Sequence, residues 1–277
     1  MEKIFFLLLI LLCFTTPIIS IESKWREYSA CQYGRLQSPI ELNEYDSTYS
    51  NKFSFVYQYY KGDSSKTLNE NGYTYYWTIG EGNFVNFEKE GVIKQYELNK
   101  IEVYPGTHTI DGNTGNFEIH LVHKKNLDFN SNKNQYRKIV DANMYLVVVL
   151  RYRTDCSNLA CISDNGLLSD LENTGSNTID LNKYPIFQDK RAYLYEGSFL
   201  YTPCDENVNY FVVNDFFYSN EDIIGNIPGY DVVISQKDRY GRPILKNFMN
   251  YKEFLGSEFY SMNIFYLIFM MVILFVI

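Results

Sequence analysis

Segments rich in aromatic and β-branched residues recur along the chain and predict a protein built mainly from β-strands. Residues 73–77 (Tyr-Thr-Tyr-Tyr-Trp) and 144–150 (Met-Tyr-Leu-Val-Val-Val-Leu) are two of them. Such residues fit the pleated, half-buried surface of a sheet. Helical patterns are few, and the clearest is the run 167–171 (Leu-Leu-Ser-Asp-Leu), which predicts one short peripheral helix.

The first twenty residues have the pattern of a secretory signal peptide. An apolar run at 4–14 follows Lys3 and is too short for an ordinary membrane span. Pro17 and Ser20 lie just behind this run, so we expect cleavage after residue 20. The sequence then predicts a single folded domain at 21–255 in the secretory pathway.

The last residues, 256–277, form a second special segment. Residues 264–277 are apolar without interruption, and as a helix they would span only about 21 Å of a ~30 Å hydrocarbon core. A tail of this kind is similar to a glycosylphosphatidylinositol (GPI) attachment signal, with Gly256–Ser257 as the attachment site. A short permanent membrane anchor is the alternative. Both put the domain on the extracellular face of a membrane.

The charge of the chain excludes one class of partner. The sequence has 25 Lys and Arg residues against 33 Asp and Glu, a net charge of -8. No basic face is therefore expected that would neutralise phosphates, and we expect no nucleic-acid partner. The sequence identifies neither a protein partner nor a small ligand.

The chain has only three histidines, and all lie close together. They are His108, His120 and His123. In the segment Glu-Ile-His-Leu-Val-His, strand alternation puts Glu118 and His120 on one face, where a carboxylate can orient a metal-binding imidazole. His123 would point to the opposite face, so it cannot share an ion with His120.

Five motifs carry a resemblance to a known family. They are 37–40 (Gln-Ser-Pro-Ile), 107–112 (Thr-His-Thr-Ile-Asp-Gly), 118–123 (Glu-Ile-His-Leu-Val-His), 195–198 with 203–206 (Tyr-Glu-Gly-Ser and Pro-Cys-Asp-Glu), and 242–243 (Arg-Pro). In this order and at these spacings they resemble the alpha-type carbonic anhydrases. The resemblance implies a mainly β, single domain on a large twisted, mostly antiparallel central sheet with a few short peripheral helices.

The same resemblance implies a zinc site, but with an unusual set of residues. The family holds zinc with three histidines, which leave a fourth position open for water. Here His120 matches one ligand, whereas Glu102 and Tyr104 stand at the other two positions. Glu118 and His108 would support His120 and its strand. We therefore expect no tightly bound catalytic zinc. Glu102 would either have a raised pKa through desolvation or form an ion pair with a nearby Lys or Arg.

Other catalytic positions of the family are also changed. Leu200 stands at the position of the threonine that orients the zinc-bound hydroxide, and Thr107 stands at the position of its glutamate partner. Tyr73 matches the histidine that shuttles protons, and tyrosine is a poor shuttle at neutral pH. Lys100 replaces a glutamine that supports one zinc ligand and, unlike glutamine, cannot accept a hydrogen bond.

Four cysteines follow the predicted signal peptide, an even number that predicts two disulfides in a secreted chain. Cys156 and Cys161 have four residues between them, which favours a local disulfide over a metal site. The resemblance implies the second pair, Cys31–Cys204, because extracellular members of the family have their common disulfide at these positions.

These observations favour a surface-displayed domain of the carbonic anhydrase type that does not hydrate carbon dioxide and acts as a binding or structural module. The alternative is an active zinc enzyme with atypical ligands, Glu102 and His120 among them. No cofactor is expected in the first case, and zinc is expected in the second.

Overall fold

The computed structural model describes residues 33–68, 75–127, 143–157, 161–172, 178–184, 190–201, 203–219 and 241–249. The predicted signal peptide at 1–20 and the predicted tail at 256–277 lie outside these residues, as do Cys31 and Tyr73.

Strands dominate the described residues. They are β1 (Glu41–Leu42), β2 (Thr48–Tyr49), β3 (Phe53–Gln58), β4 (Lys61–Leu68), β5 (Tyr75–Ile79), β6 (Phe84–Lys89), β7 (Val92–Pro105), β8 (Thr109–Ile110), β9 (Asn113–Thr114), β10 (Phe117–Lys125), β11 (Tyr145–Arg153), β12 (Cys161–Ser163), β13 (Thr178–Asp180), β14 (Ala192–Gly197), β15 (Val208–Tyr218) and β16 (Leu245–Lys246). The helical elements are α1 (Leu167–Glu172), as the pattern at 167–171 predicts, and a 3-10 turn at Leu181–Lys183. Across these ranges, no helix has the length and apolar character needed to span a bilayer.

One large sheet organises the domain and confirms the expected fold class. Its main path is β13-β4-β5-β7-β10-β11-β15-β14-β16-β2, with β3, β6 and β12 joined at the side. Most neighbours are antiparallel, including β7–β10 and β10–β11, whereas β11–β15, β12–β15 and β16–β2 are parallel. Strands β1, β8 and β9 form a small second sheet.

The two faces of the central strands bury separate apolar clusters. Along β10, Ile119 and Leu121 belong to the larger cluster, whereas Val122 belongs to the smaller one. Side chains of a strand alternate between its faces, so His120 lies on the side of Val122. Both strands are buried along most of their length, and β11 is largely apolar, whereas β10 also buries Glu118, His120 and His123.

A bulge in β7 sets which side chains face His120. His123 pairs with Leu98, whereas Val122 pairs with Lys100, so Asn99 is an extra residue in β7. An extra residue of this kind reverses the alternation that follows it. Lys100 and the alternate residues after it therefore lie on the same face as His120.

Several of the sequence motifs tie distant loops together. Ser38 N donates to Ser198 Oγ at 3.0 Å, and Ser198 N donates to Ser38 Oγ at 3.1 Å. Gln37 Nε2 donates to Glu206 Oε1 at 2.9 Å. Arg242 Nη1 donates to the Glu196 carbonyl at 2.9 Å. These bonds link the segment before β1, the β14–β15 loop and the segment before β16.

The structure contains the predicted local disulfide. Cys156 and Cys161 have an S–S distance of 2.00 Å and a Cα–Cα distance of 6.0 Å. Cys204 is also disulfide-bonded, and its predicted partner Cys31 lies outside the described residues. Disulfides are typical of secreted and extracellular proteins.

Candidate functional site

Adjacent strands bring together the side chains that the sequence places at the zinc position. Glu102 on β7 lies directly opposite His120 on β10, and Tyr104 lies opposite Glu118. The rings of Tyr104 and His120 are 4.6 Å apart between centroids. Glu102, Tyr104 and His120 are only 1%, 3% and 2% exposed. We call Lys100, Glu102, Tyr104, His120 and Tyr201 the candidate site.

Glu118 anchors His120 from beneath the candidate site. Glu118 Oε2 accepts from Thr107 Oγ1 at 2.6 Å and lies 2.9 Å from both His108 Nδ1 and His120 Nε2. Its other oxygen, Oε1, accepts from the backbone N–H groups of Thr107 at 3.0 Å and His108 at 2.6 Å. Five donors therefore converge on one fully buried carboxylate.

This set of donors fixes the charge and the tautomers of the cluster. Burial raises the pKa of Glu118, but the charge of His108 and the hydrogen bonds from both imidazoles outweigh it and hold the pKa below its usual range. Burial lowers the pKa of His108, although Glu118 opposes this. Because Nε2 of His120 carries the proton donated to the ionised Glu118, Nδ1 is the nitrogen of this imidazole that could offer a lone pair.

His108 extends the network away from the candidate site. Its Nε2 lies 2.8 Å from the hydroxyl of Tyr195, which in turn is 3.3 Å from Ser38 Oγ. With Nδ1–H donated to Glu118, Nε2 accepts from Tyr195. His108 therefore holds the segment before β8 against both Glu118 and β14, with no exposed atom that would reach a substrate.

One oxygen of Glu102 forms an ion pair and the other accepts a hydrogen bond. Lys100 Nζ lies 2.6 Å from Glu102 Oε1, and the Tyr104 hydroxyl donates to Oε2 at 3.0 Å. Of the two alternatives for Glu102, the ion pair with a nearby lysine is the one that the structure contains.

Tyr201 covers Lys100 from the loop after β14. Lys100 Nζ donates to the Tyr201 hydroxyl at 3.4 Å and lies 4.9 Å from the centre of its ring. Burial lowers the pKa of Lys100, but Glu102 and Tyr201 outweigh this and raise it above its usual value. Burial and the charge of Glu102 raise the pKa of Tyr201 to about 12. Lys100 is therefore a cation and Tyr201 a neutral phenol at neutral pH.

The residues of the candidate site do not fit a zinc ion. Zinc needs anionic or neutral lone-pair donors at about 2.0–2.3 Å. The ammonium of Lys100 has no lone pair for a metal. It also lies against the Glu102 oxygen that would have to bind the metal. The Tyr104 hydroxyl would have to lose both its proton and its bond to Glu102. His120 is then the one ready ligand among these side chains.

His108, Glu118 and His120 also bring three possible metal-ligand atoms within 4.8 Å of one another. The Glu118 oxygen and the imidazole nitrogens are 2.9 Å apart, whereas ligands of one tetrahedral zinc would be roughly 3.4 Å apart. The five hydrogen bonds to Glu118 use both of its oxygens. This group is a hydrogen-bonded support for His120 and not a metal centre.

The other residues at motif positions of the family are engaged in packing and hydrogen bonds within the chain. Thr107 donates to Glu118 and so belongs to the support of His120. Leu200 is buried at 5% exposure and has no polar side-chain atom. His123 lies on the other face, where Nε2 is 2.8 Å from the Tyr59 hydroxyl and Nδ1 is 3.2 Å from the Leu146 carbonyl.

Sequence reasoning missed Tyr201 as a member of the candidate site. Tyr201 lies 101 positions from Lys100, and no periodicity links a loop residue to a distant strand. The signal that could have found it is its position beside Leu200, between the two parts of a family motif at 195–198 and 203–206.

A mainly β domain with an imidazole oriented by a buried glutamate on its central sheet defines the class of protein. The chain belongs to the carbonic anhydrase family: the family model for eukaryotic-type carbonic anhydrase matches residues 20–252.

Individual relatives agree with this assignment. Alpha carbonic anhydrase 8 of Arabidopsis thaliana is 28% identical over 197 residues, which are 67% of this chain and 46% of that protein. This chain therefore spans just under half the length of that curated relative.

Two solved structures share the fold. An alpha carbonic anhydrase of Thermovibrio ammonificans in complex with the inhibitor sulfanilamide is 22% identical, with a TM-score of 0.56 over 79% of this chain and 91% of that one. Dioscorin in complex with ascorbate is 22% identical, with a TM-score of 0.57 over 82% and 91%. At this identity the likeness concerns the fold alone.

Proposed function

We propose that this protein is a carbonic anhydrase-like domain that does not hydrate carbon dioxide and serves as a binding or structural module. The observation that carries the proposal is the contact between Lys100 Nζ and Glu102 Oε1 at 2.6 Å. The ammonium of Lys100 lies against Glu102, the residue at one of the family's metal-ligand positions.

The electrostatic cost of a metal supports this reading. A divalent ion about 4 Å from the Lys100 ammonium would be repelled by about 8 kcal/mol at an effective dielectric constant of 20. Structural zinc sites with a complete set of ligands gain about 10–16 kcal/mol in apparent binding. A site with one imidazole, one carboxylate already paired with lysine, and a protonated phenol offers much less than that.

The retained motifs support a function that depends on the folded scaffold and not on a metal. Ser38 and Ser198, Glu118 with both of its histidines, and Arg242 are engaged in bonds between loops and strands. These contacts stabilise the scaffold whether or not a metal binds.

The place of action in this proposal is the outer face of a membrane. The Cys156–Cys161 disulfide supports an oxidising compartment. The pattern of residues 1–20 supports export, and the apolar segment at 264–277 supports a GPI anchor.

A stopped-flow assay of carbon dioxide hydration tests the catalytic part of the proposal. The purified domain, supplied with zinc, is expected to give the uncatalysed rate, while an active alpha carbonic anhydrase at equal concentration serves as the positive control. Hydration above background that disappears in His120→Ala would contradict the proposal and favour a zinc enzyme with atypical ligands.

A further inference from the structure

The strand β3 lies at an edge of the large sheet. Within the described part of the chain it pairs with β6 alone. The pairing is antiparallel and runs without a bulge from Phe53 opposite Lys89 to Gln58 opposite Phe84. No strand of the described residues lies along the other edge of β3.

The backbone of alternate residues in β3 points towards this open edge. Glu90 N donates to the Lys52 carbonyl at 2.8 Å, and these two residues are directly opposite each other in the register. Opposite residues of an antiparallel pair alternate between hydrogen-bonded and non-hydrogen-bonded positions. Ser54 therefore bonds to β6, whereas the N–H and C=O groups of Phe53 and Phe55 point away from it. The residues that the structure describes supply no hydrogen-bond partner for these outward groups.

β3 also lacks the features with which proteins protect an open strand edge. Edge strands are usually protected by charged residues, by proline or by a bulge, because their free backbone groups pair readily with another chain. The six residues of β3 (Phe-Ser-Phe-Val-Tyr-Gln) include none of these features. Val56, on the solvent side of the strand, is 54% exposed. This edge is therefore suited to accept another strand.

An open cavity of about 400 Å³ lies beside β3. Phe53, Phe55 and Phe211 of β15 contribute to its aromatic lining, and the rings of Phe55 and Phe211 are 3.9 Å apart between centroids. The volume falls within the roughly 300–1,000 Å³ that is typical of ligand sites. Opposite side chains of paired strands point to the same side. A strand added to β3 would therefore place every second side chain over this cavity.

Two cations also line the cavity. Lys190 and Arg191 do so together with Asn247, whose Nδ2 donates to the Lys190 carbonyl at 2.8 Å and whose Oδ1 accepts from the backbone of β14 at 2.8 Å. The segment that carries both cations is thus held in place. Arg191 forms an ion pair with Asp215 at 3.0 Å. Lys190 Nζ lies 5.9 Å from the centre of the Phe217 ring, and no carboxylate of the described residues forms an ion pair with it.

We propose that the open edge of β3 binds an extended peptide segment of a partner protein, which adds an antiparallel strand. The segment carries apolar side chains and a carboxylate on the face towards the cavity. Added strands gain affinity from main-chain hydrogen bonds and specificity from pockets for alternate side chains. The aromatic lining favours the apolar side chains, and Lys190 favours the carboxylate through complementary charge.

This binding site is separate from the candidate site. No residue of the candidate site lines the cavity. The proposal names a class of partner for the binding role proposed above, and it holds whether or not the chain hydrates carbon dioxide. A failure of one proposal therefore leaves the other standing.

A second copy of this chain fits the open edge less well than a peptide does. Antiparallel pairing of two β3 strands would bring Phe53 and Phe55 of each copy towards the cavity of the other. Phe55 already packs against Phe87 and Phe211 of its own chain, with ring centroids 4.9 and 3.9 Å apart. Phe53 is only 6% exposed. These rings would have to leave their own core to fill a neighbour's cavity.

Fluorescence anisotropy with a designed peptide tests the proposal. The probe is fluorescein-Glu-Thr-Leu-Thr-Phe-Thr-Glu-amide, in which the apolar and acidic side chains share one face. The protein is used as the processed chain, extracted from expressing cells in mild detergent. We expect saturable binding of the peptide.

Two N-methylated forms of the peptide test the hydrogen-bond pattern. Residues opposite Phe53 and Phe55 in an antiparallel pair direct their side chains over the cavity and their N–H groups towards β3. N-methylation of the peptide's leucine and phenylalanine should therefore weaken binding about tenfold or more, since it removes two donors. N-methylation of the second and third threonines should change the affinity less than about twofold, because their N–H groups point away from β3.

Lys190→Gln tests the charged part of the proposal. The affinity for the peptide should fall about two- to fivefold, as for an exposed ion pair. Lys124→Gln is the matched control, because it changes the net charge equally at an exposed residue of β10 that does not line the cavity. Its affinity should stay within about 1.5-fold of the wild type. Equal losses in the two variants would overturn the assignment of a carboxylate to Lys190.

Absence of saturable binding, or equal weakening by both N-methylated peptides, would overturn the proposal of an added strand. Sedimentation at the concentration of the titration distinguishes the other occupant of the edge. We expect a monomer that binds the peptide. A dimer that excludes the peptide would show that a second copy occupies β3 and would contradict the proposal.

Discussion

The ammonium of Lys100 lies 2.6 Å from the carboxylate of Glu102. The two residues are two positions apart on β7, and Glu102 pairs with His120 on β10. Residues two apart on a strand point to the same face, so local geometry alone brings this pair together. Glu102 is buried and the Lys100 side chain is 18% exposed. The pair therefore neutralises a buried carboxylate without a metal.

Removing Lys100 should destabilise the domain more than removing both partners. Lys100→Met leaves Glu102 buried with only the bond from Tyr104, and we expect a loss of about 2 kcal/mol in the free energy of unfolding, less than for a fully buried pair. Lys100→Met with Glu102→Leu should recover most of this loss. Urea unfolding of both variants measures the difference. Equal losses in the two would show that the ion pair is not what stabilises Glu102.

His123 should make the free energy of unfolding depend on pH. The effect is expected between the pKa of His123 in the folded chain and its pKa in the unfolded chain. Burial lowers the pKa of His123 to about 4, below the value of about 6.5 in an unfolded chain. The unfolded state then binds more protons in this range, so stability is complete above the unfolded pKa and falls as the pH approaches 4. The loss is on the order of 3 kcal/mol.

His123→Gln tests this assignment, because an amide can donate to the Leu146 carbonyl and accept from Tyr59 without titrating. The stability of the variant should fall less steeply between pH 6.5 and 4 in urea unfolding. The slope will not vanish, since burial also lowers the pKa of His108. An unchanged slope would show that His123 is not the source.

Much of the site's layout follows from the sequence, because strand alternation and the motif around His120 fix which residues share a face. The alternation of the preceding part of β7 does not follow, because the extra residue Asn99 puts Leu98 and Lys100 on opposite faces although they are two positions apart. The sequence pattern alone does not show that Asn99 is an extra residue or that it shifts the pairing of β7 with β10.

The lysines near the end of the sheet show the same limit at longer range. Lys89 and Lys125 are separated by 36 positions but share one face through the pairing of three strands. Glu196 then joins them from β14. Only the folded register reveals that these residues share one face.

Gly197 should tolerate no side chain. A Cβ at this residue would lie 2.0 Å from Ser38 Oγ, which the amide of Ser198 holds in place. Gly197→Ala should cost about 1–3 kcal/mol through overpacking, measured by thermal or urea unfolding. In the control Gly80→Ala, the added Cβ has its nearest neighbour at 3.6 Å. Equal stability of both variants would mean that this loop contact is loose.

The proposed anchor makes a prediction about intact cells. If lipid attached near Gly256–Ser257 replaces the tail, a phosphatidylinositol-specific phospholipase should release the protein into the medium. A protein with a transmembrane anchor, treated in parallel, should stay on the cells. Retention after treatment, together with detection of the peptide that follows Asn263 in the mature protein, would favour a permanent membrane anchor.

In the proposed function, Lys100 and Glu102, with Tyr104, take the place of a zinc site. Lys100→Gln with Glu102→His and Tyr104→His should recreate three imidazoles around one position, His120 being the third. Adding His120→Ala to this variant is the control, because it removes one ligand and leaves the other changes in place.

The decisive measurement is the zinc content per chain of the wild type and of the triple variant after identical purification and dialysis against zinc. We predict much less than one zinc per wild-type chain, close to one in the triple variant, and a clear loss when His120→Ala is added. Stoichiometric zinc in the wild type, lost in His120→Ala and weakened in Glu102→Gln, would contradict the account and make Glu102 a true metal ligand.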